Sequence, residues 1–351
     1  MAEKFEIETT QLEKVSVHQV GNKTNNEDLI ISKDLLDISD GKLKELLMRF
    51  FVSSFSNPEF YNFSFSNNDF KLNPIYNYAF QSFEHGSAFH INSINIAKHL
   101  YELSTHPQIK SGDLFVAYFA NIQVEDEEVE AIGIFKSENK YDFLKLNQTD
   151  NVFDVTYNDG INIDKLDKGC LIFNTNADQG YKVCIIDKGN KGSEAQYWKD
   201  SFLQLKPCSN NYNHTKEFMN IAKNFVTKQL NEEFEVTKAD QIDYLNRSVD
   251  YFKTNDIFDK QEFEKQVFAD ENVIESFRTF DEAYRKSNEM ELMDSFDISA
   301  QAVKKQAKVF KSVLKLDKNF HIYIHGNRNL IEQGVEEDGR KFYKIYFKEE
   351  E

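Results

Sequence analysis

Proline, glycine and cysteine are all scarce in this chain, and each scarcity closes off a class of protein. Four prolines and 13 glycines scattered through 351 residues advertise no long flexible linker. The three cysteines, Cys170, Cys184 and Cys208, are an odd set without CxxC spacing. They argue against a disulfide framework or a zinc ribbon and point to a reducing cytoplasm. No run of about 18 apolar residues occurs, so no membrane span is expected. The opening "MAEKFEIETTQLEKV" carries charges every few residues and lacks the apolar centre of a signal peptide. Phosphate-binding loops, GxGxxG, GxSxG and HExxH are absent as well.

What is abundant is aromatic and acidic. Phenylalanine alone fills 32 positions, which is ample material for a core, and a 351-residue length predicts two domains with an appended element. The net charge of −17 argues against indiscriminate polyanion binding. Its distribution does not. From Ala300 to Lys348 there are 11 Lys/Arg against five Asp/Glu, a local +6; with −3 from the final glutamates, residues 1–299 carry −20. A basic tail on an acidic body is an asymmetry that marks polyanion contact.

Hydrophobic patterning divides the chain into an α+β domain at 1–206, a helical region at 207–297 and a basic C-terminal piece at 298–351. "KVSVHQVGNKTNNEDLIIS" reads as two strands across an Asn-rich turn. Ser39 is positioned to cap a helix whose apolar face is Leu43, Leu46, Leu47 and Phe50. Residues 53–77 read as irregular, and a helix follows through Ile96, Leu100 and Leu103. "GDLFVAYFANI" and "VEAIGIFKSE" flank an acidic loop as a hairpin; "KYDFLKLN", "GCLIFNT" and "YKVCIID" extend it into an antiparallel sheet with packed helices. Trp198 reads as a core anchor. After Pro207 the period turns helical, with stripes through Phe218, Ile242 and Val273, and Asp259 with Glu262 forms a capping pair.

The tail opens on "ISAQAVKKQAKVFKSVLKL", predicted as a helix capped by Ser299 with Ala300, Val303, Ala307, Phe310 and Leu314 as its seam. Lys304, Lys308, Lys311 and Lys315, with Lys305 beside them, then form a ridge about 100° round the axis. "NFHIYIHGNRNLIEQGVEEDGRKFYKIYF" reads as the closing β-hairpin, with Asp338-Gly339 in a turn. His321, Tyr323 and His325 alternate onto one strand face, with Arg328, Arg340, Lys341 and Lys344 nearby. Lysines that neutralise regularly spaced phosphates release counterions. These twelve residues are therefore the candidate DNA contacts, against the plainer reading of a solvated polar surface. Two histidines without a third ligand make no metal site, and no cofactor is expected. A metal-dependent nuclease using Asp113, Glu138 and Lys140 is the enzymatic alternative, although E-x-K strings arise readily in so charged a chain.

Several segments together resemble the bacterial nucleoid-associated family often called NdpA-like: "VHQVGNK", "GDLFVAYFANI", "AIGIFKSE", "KLDKGCLIFN", "YWKDSFL" and the closing "LKLDKNFHIYIHGNRNLIEQGVEEDGRKFYKIYF". They stand in the family's order along nearly the whole chain. The resemblance implies a cytoplasmic protein of the nucleoid that serves chromosome organisation and binds DNA without established enzymatic activity. It supplies no list of contact residues. Expected partners are double-stranded DNA read with little sequence preference, other nucleoid proteins and a second copy of the chain. An acidic interaction protein or DNA mimic is the remaining alternative.

Overall fold

A computed structural model describes residues 5–55, 59–66, 69–188, 197–288, 290–310, 313–317, 319–324 and 330–349. The protein is α+β, and it divides into two compact units, Glu3–Cys208 and Ser209–Glu351.

The first unit is built on one antiparallel sheet. Its strands are β1 (Phe5–Glu6), β2 (Gln11–Val20), β3 (Leu29–Ile31), β4 (Phe60–Phe63), β5 (Gly112–Val124) and β6 (Glu127–Ser137), then β9 (Lys168–Phe173), β10 (Lys182–Asp187) and β11 (Leu205–Pro207). They lie in the order β11-β4-β10-β9-β6-β5-β2-β3, with β1 against the end of β5. Alternate residues of β5 feed opposite cores. Leu114, Val116 and Tyr118 meet Ile75, Ile96 and Leu100 from helices Pro74–Glu84 and Phe89–Leu103. Phe115, Ala117 and Phe119 meet Phe50, Phe51 and Val52 from helix Gly41–Val52. Because both faces are covered, "GDLFVAYFANI" is continuously apolar where a one-sided strand would alternate. Trp198 is fully buried in the π-helical turn Tyr197–Leu203, and its Nε1 donates to the Gly169 carbonyl at 3.3 Å. The three cysteines are free and buried.

Three expectations are corrected here. The helix at 41–52 is capped by Asp40, whose carboxylate accepts from the amides of Lys42 and Leu43, and not by Ser39. The segment expected to be irregular contains β4, a four-residue strand held between β10 and β11. "KYDFLKLN" does form a strand, β7 (Tyr141–Thr149), but it pairs only with β8 (Val152–Gly160) as a separate ribbon outside the main sheet. Alternation along a strand reports a half-buried face and is silent on which sheet the strand joins.

The second unit has a helical core. Helix Asn211–Asn224 runs on through the π turn Phe225–Gln229, and helices Lys238–Thr254, Lys260–Val267 and Glu271–Ser287 pack round Phe218, Phe225, Phe263 and Phe277. Asp259 accepts from the Glu262 amide as the N-cap. Strands β12 (Ile257–Asp259) and β13 (Ser295–Asp297), which the patterning does not announce, pair beside this core through stacked Phe258 and Phe296. Helix Ala300–Gln306 is capped by Ser299 and adds Val303 to the same core.

The segment "VHQVGNK" is structural. Asn22 is buried and donates to the carbonyls of His106 and Ile109. His18 Nδ1 accepts from the Ser32 amide at 3.2 Å, so the neutral ring carries its proton on Nε2 and donates to Ser93 Oγ at 3.0 Å. Burial, with His90 adding to it, holds the His18 pKa down at about 4, against 6.5 when exposed. Between those values the unfolded chain binds a proton that the folded chain refuses, so stability is complete above pH 6.5 and falls as the pH drops toward 4. The expected loss is about 2 to 3 kcal/mol. Urea midpoints measured across this window should slope for the wild type and flatten for His18→Asn.

Candidate nucleic-acid interface

The basic element begins where helix Ala300–Gln306 ends. Lys304 and Lys305 stand exposed in its last turn, and Lys308 is exposed in the 3-10 turn Ala307–Val309 that follows. The predicted helix does not continue. Residues Val313–Leu316 form strand β14, so Lys315 projects from a strand and the four lysines do not make one helical ridge. The sequence "VLKL" fits both periods over so short a window, and Leu314 is buried in the strand. Lys311 lies outside the described residues, as do His325 and Arg328.

The closing hairpin is likewise two hairpins. β15 (Phe320–Tyr323) turns back on β14 through Asp317, whose φ of 51° suits an Asx residue in a tight turn. β16 (Ile331–Val335) pairs with β17 (Lys341–Ile345) across the Asp338-Gly339 turn. In the first hairpin Lys315 stands opposite His321 and Val313 opposite Tyr323, so Lys315, His321 and Tyr323 share one exposed face. The other face turns Leu314 and Ile322 toward Ile242 of helix Lys238–Thr254, where Asn246 donates to the Ile324 carbonyl at 3.1 Å. This is the alternation that the sequence announces, although Phe320 remains 62% exposed beside it.

The second hairpin disperses its cations. Register puts Lys341 opposite Val335 and Lys344 opposite Glu332, on opposite faces of the two strands. Lys344 lies 3.7 Å from Glu332 and over the Tyr346 ring, and these neighbours raise its pKa, the tyrosine hydrogen bond most. Arg340 pairs with Asp338 of its own turn at 2.7 Å. All four charged groups are widely exposed, so these pairs are weak and a phosphate can compete for the cations. Among the described residues no ion pair involves Lys304, Lys308, Lys315 or Lys341.

Of the three residues of the nuclease alternative, the structure brings Asp113 and Lys140 together and turns Glu138 to other partners. Lys140 binds Asp113 directly. Glu138 is spent on buried Lys136, at 3.1 Å, and on the Tyr197 hydroxyl, at 3.3 Å. Lys136 stands opposite Lys168 in the sheet, and both ammonium groups lie near the Tyr197 ring. Burial lowers the Lys136 pKa, with Glu138 opposing it, and Asp187 holds Lys168. Each carboxylate thus neutralises a lysine, and no group of three metal-ligating side chains occurs among the described residues. No helix among them is long and apolar enough to cross a membrane.

The family model described as nucleoid-associated protein YejK matches the chain over residues 16–340. Among proteins with curated descriptions none matches the chain significantly. The matched span takes in most of the double-faced sheet, the helical core and most of the basic element. The chain belongs to the YejK family of nucleoid-associated proteins.

Proposed function

We propose that this protein binds double-stranded DNA through its C-terminal basic element, contacting phosphates with little sequence preference and catalysing no reaction. The observation that supports this reading is the segregation of charge, +6 over residues 300–348 against −20 over residues 1–299. A polyphosphate is attracted to the tail and repelled by the body, so contact is local and salt-sensitive. Lys304, Lys308, Lys315 and Lys341 are its cationic contacts, with His321 and Tyr323 beside Lys315 as hydrogen-bond donors; Lys305, Arg340 and Lys344 add to the local potential. No base-reading motif accompanies them, which is why sequence preference is slight.

Gel shifts over a salt series test this. Replacing Lys304, Lys308, Lys315 and Lys341 together by glutamine should weaken binding about 100-fold at low salt and make the slope of log K against log salt shallower by roughly 4. A wild-type slope near zero, or a variant that binds like the wild type, overturns the proposal. The −20 of the body favours a second role, engagement of basic proteins of the nucleoid. Partners recovered by pull-down after nuclease treatment would identify it.

A further inference from the structure

The basic element also gathers exposed rings. Phe320, Tyr323, Phe342, Tyr346 and Phe347 are all exposed, more large aromatic side chains than the rest of the described chain leaves open to solvent. None of the five belongs to a hydrophobic core. Contact with phosphates uses the cations and leaves these rings without a task. On the second hairpin they have an order. Phe342, Lys344 and Tyr346 alternate along β17 and the residue beyond it, about 7 Å from one to the next. The Lys344 ammonium lies 4.9 Å over the Tyr346 ring, and the Tyr346 hydroxyl donates at 2.8 Å to Glu332, which stands opposite Lys344 on the same face. Phe342 stands opposite Gly334, where an added Cβ would come within 2.3 Å of the ring. The missing side chain lets Phe342 lie down across β16 while its ring remains exposed.

A solvated ring beside an ammonium group suits a nucleotide, whose base stacks on the ring while its phosphate meets the cation. A base within a duplex already has both faces in the stack, so only an unpaired base can make this contact without disrupting its helix. Glu332 points the same way. A carboxylate among the rings repels a phosphate but accepts from an amino group on the open edge of an unpaired base. We infer that the β16–β17 hairpin binds single-stranded DNA, with bases stacked on Phe342 and Tyr346 and the intervening phosphate on Lys344. The inference rests on the phosphate-contact reading of the same element and adds to it a contribution that duplex DNA does not receive. Every base has a stackable face, so sequence preference stays slight. Stacking releases no counterions, and each single-strand phosphate contributes about 0.7 to the salt slope against about 0.9 for a duplex. Binding to the single strand therefore outlasts binding to the duplex as salt rises.

Fluorescence anisotropy of the full chain with a labelled oligothymidylate, and with a duplex of equal length, tests this over a salt series. The single strand should stay bound at salt that releases the duplex. Phe342→Leu with Tyr346→Leu should weaken the single strand about 100-fold and leave the duplex within about twofold. Gly334→Val keeps every ring and charge but lifts Phe342 off the strand, and should cost the single strand about 10-fold. Melting curves should not move, since none of these side chains is in a core. A 2-aminopurine in the strand should lose emission on binding the wild type and keep it with the double variant. Ring variants that hold the single strand like the wild type, or that lose both forms equally, overturn the inference and leave the phosphate reading standing. A wild type that binds neither form overturns both. Tighter binding of oligouridylate than of oligothymidylate overturns the assignment to DNA.

Discussion

Asp281→Ala is expected to destabilise the 209–351 unit by about 3 kcal/mol. The Asp281 carboxylate has no solvent exposure and joins two cations, Lys260 Nζ at 2.6 Å and Arg285 Nε at 2.7 Å. Arg285 reaches on to the Leu292 carbonyl and to Asp294, so one acid organises the chain leaving helix Glu271–Ser287. Removing a single partner of a buried pair strands the others. Here two positive charges are left facing each other at the edge of an aromatic core, with the Arg285 guanidinium over the Phe218 ring. Both cations retain 16% side-chain exposure, so water relieves part of the penalty, and the lower end of the usual range applies. Urea denaturation resolved by hydrogen exchange should place the loss in this unit and leave residues 3–208 protected. Asp338→Ala, which breaks the exposed pair with Arg340, is the control and should leave the midpoint where it was. Equal effects from the two substitutions would refute the argument from burial.

Phe51→Ala should cost the sheet unit about 3 to 5 kcal/mol and lower its melting temperature by about 10 °C. The Phe51 ring is stacked on Phe135 at 4.4 Å and meets Phe115 and Phe119 edge-on or tilted at 5.7 and 6.2 Å. Phe135 itself lies over Gly133, where an added Cβ would come within 2.3 Å of its ring. The absent side chain at Gly133 lets Phe135 lie down on β6, and Phe51 closes the layer from above. Because the neighbours are rings held in place by the sheet, they cannot collapse into the space, and the cavity term is paid in full. Phe51→Leu fills most of the volume without the ring pairs and should recover over half of the loss. An alanine variant that melts within a degree or two of the wild type would show that this layer is not the core it resembles.

These residues also show what a sequence discloses. Long apolar runs such as "GDLFVAYFANI" name their strands because burial on both faces leaves little choice of residue. The stripes through Phe218, Ile242 and Val273 name their helices through period alone. What stays hidden is partnership over distance. Nothing in "FYNF" tells that four residues at 60–63 bridge β10 and β11, and nothing in "KYDFLKLN" tells that its strand leaves the sheet. At Lys315 a spacing of four residues is compatible with a helix and with alternate positions of a strand, and tertiary packing of Leu314 against Ile242 decides. The basic element was legible as charge; its geometry was not, because pairings such as Lys344 with Glu332 depend on a register that composition does not contain. The segments that carry the family likeness, "VHQVGNK" and "YWKDSFL" among them, map to Asn22, His18 and Trp198, which build the fold. They identify a relative without marking a contact surface.

The position of β4 has a consequence for how this protein is made. Its partner Val183 lies 122 positions beyond Tyr61, and β11 is later still. At ordinary rates of translation, Phe60–Phe63 therefore waits roughly 6 to 25 seconds on the ribosome with its backbone amides and carbonyls unmatched. Throughout that interval the nascent chain presents an open strand edge and uncovered phenylalanines, the two features on which chaperones act and from which aggregation starts. Slowing synthesis between residues 64 and 182 would lengthen this exposure and lower the soluble yield.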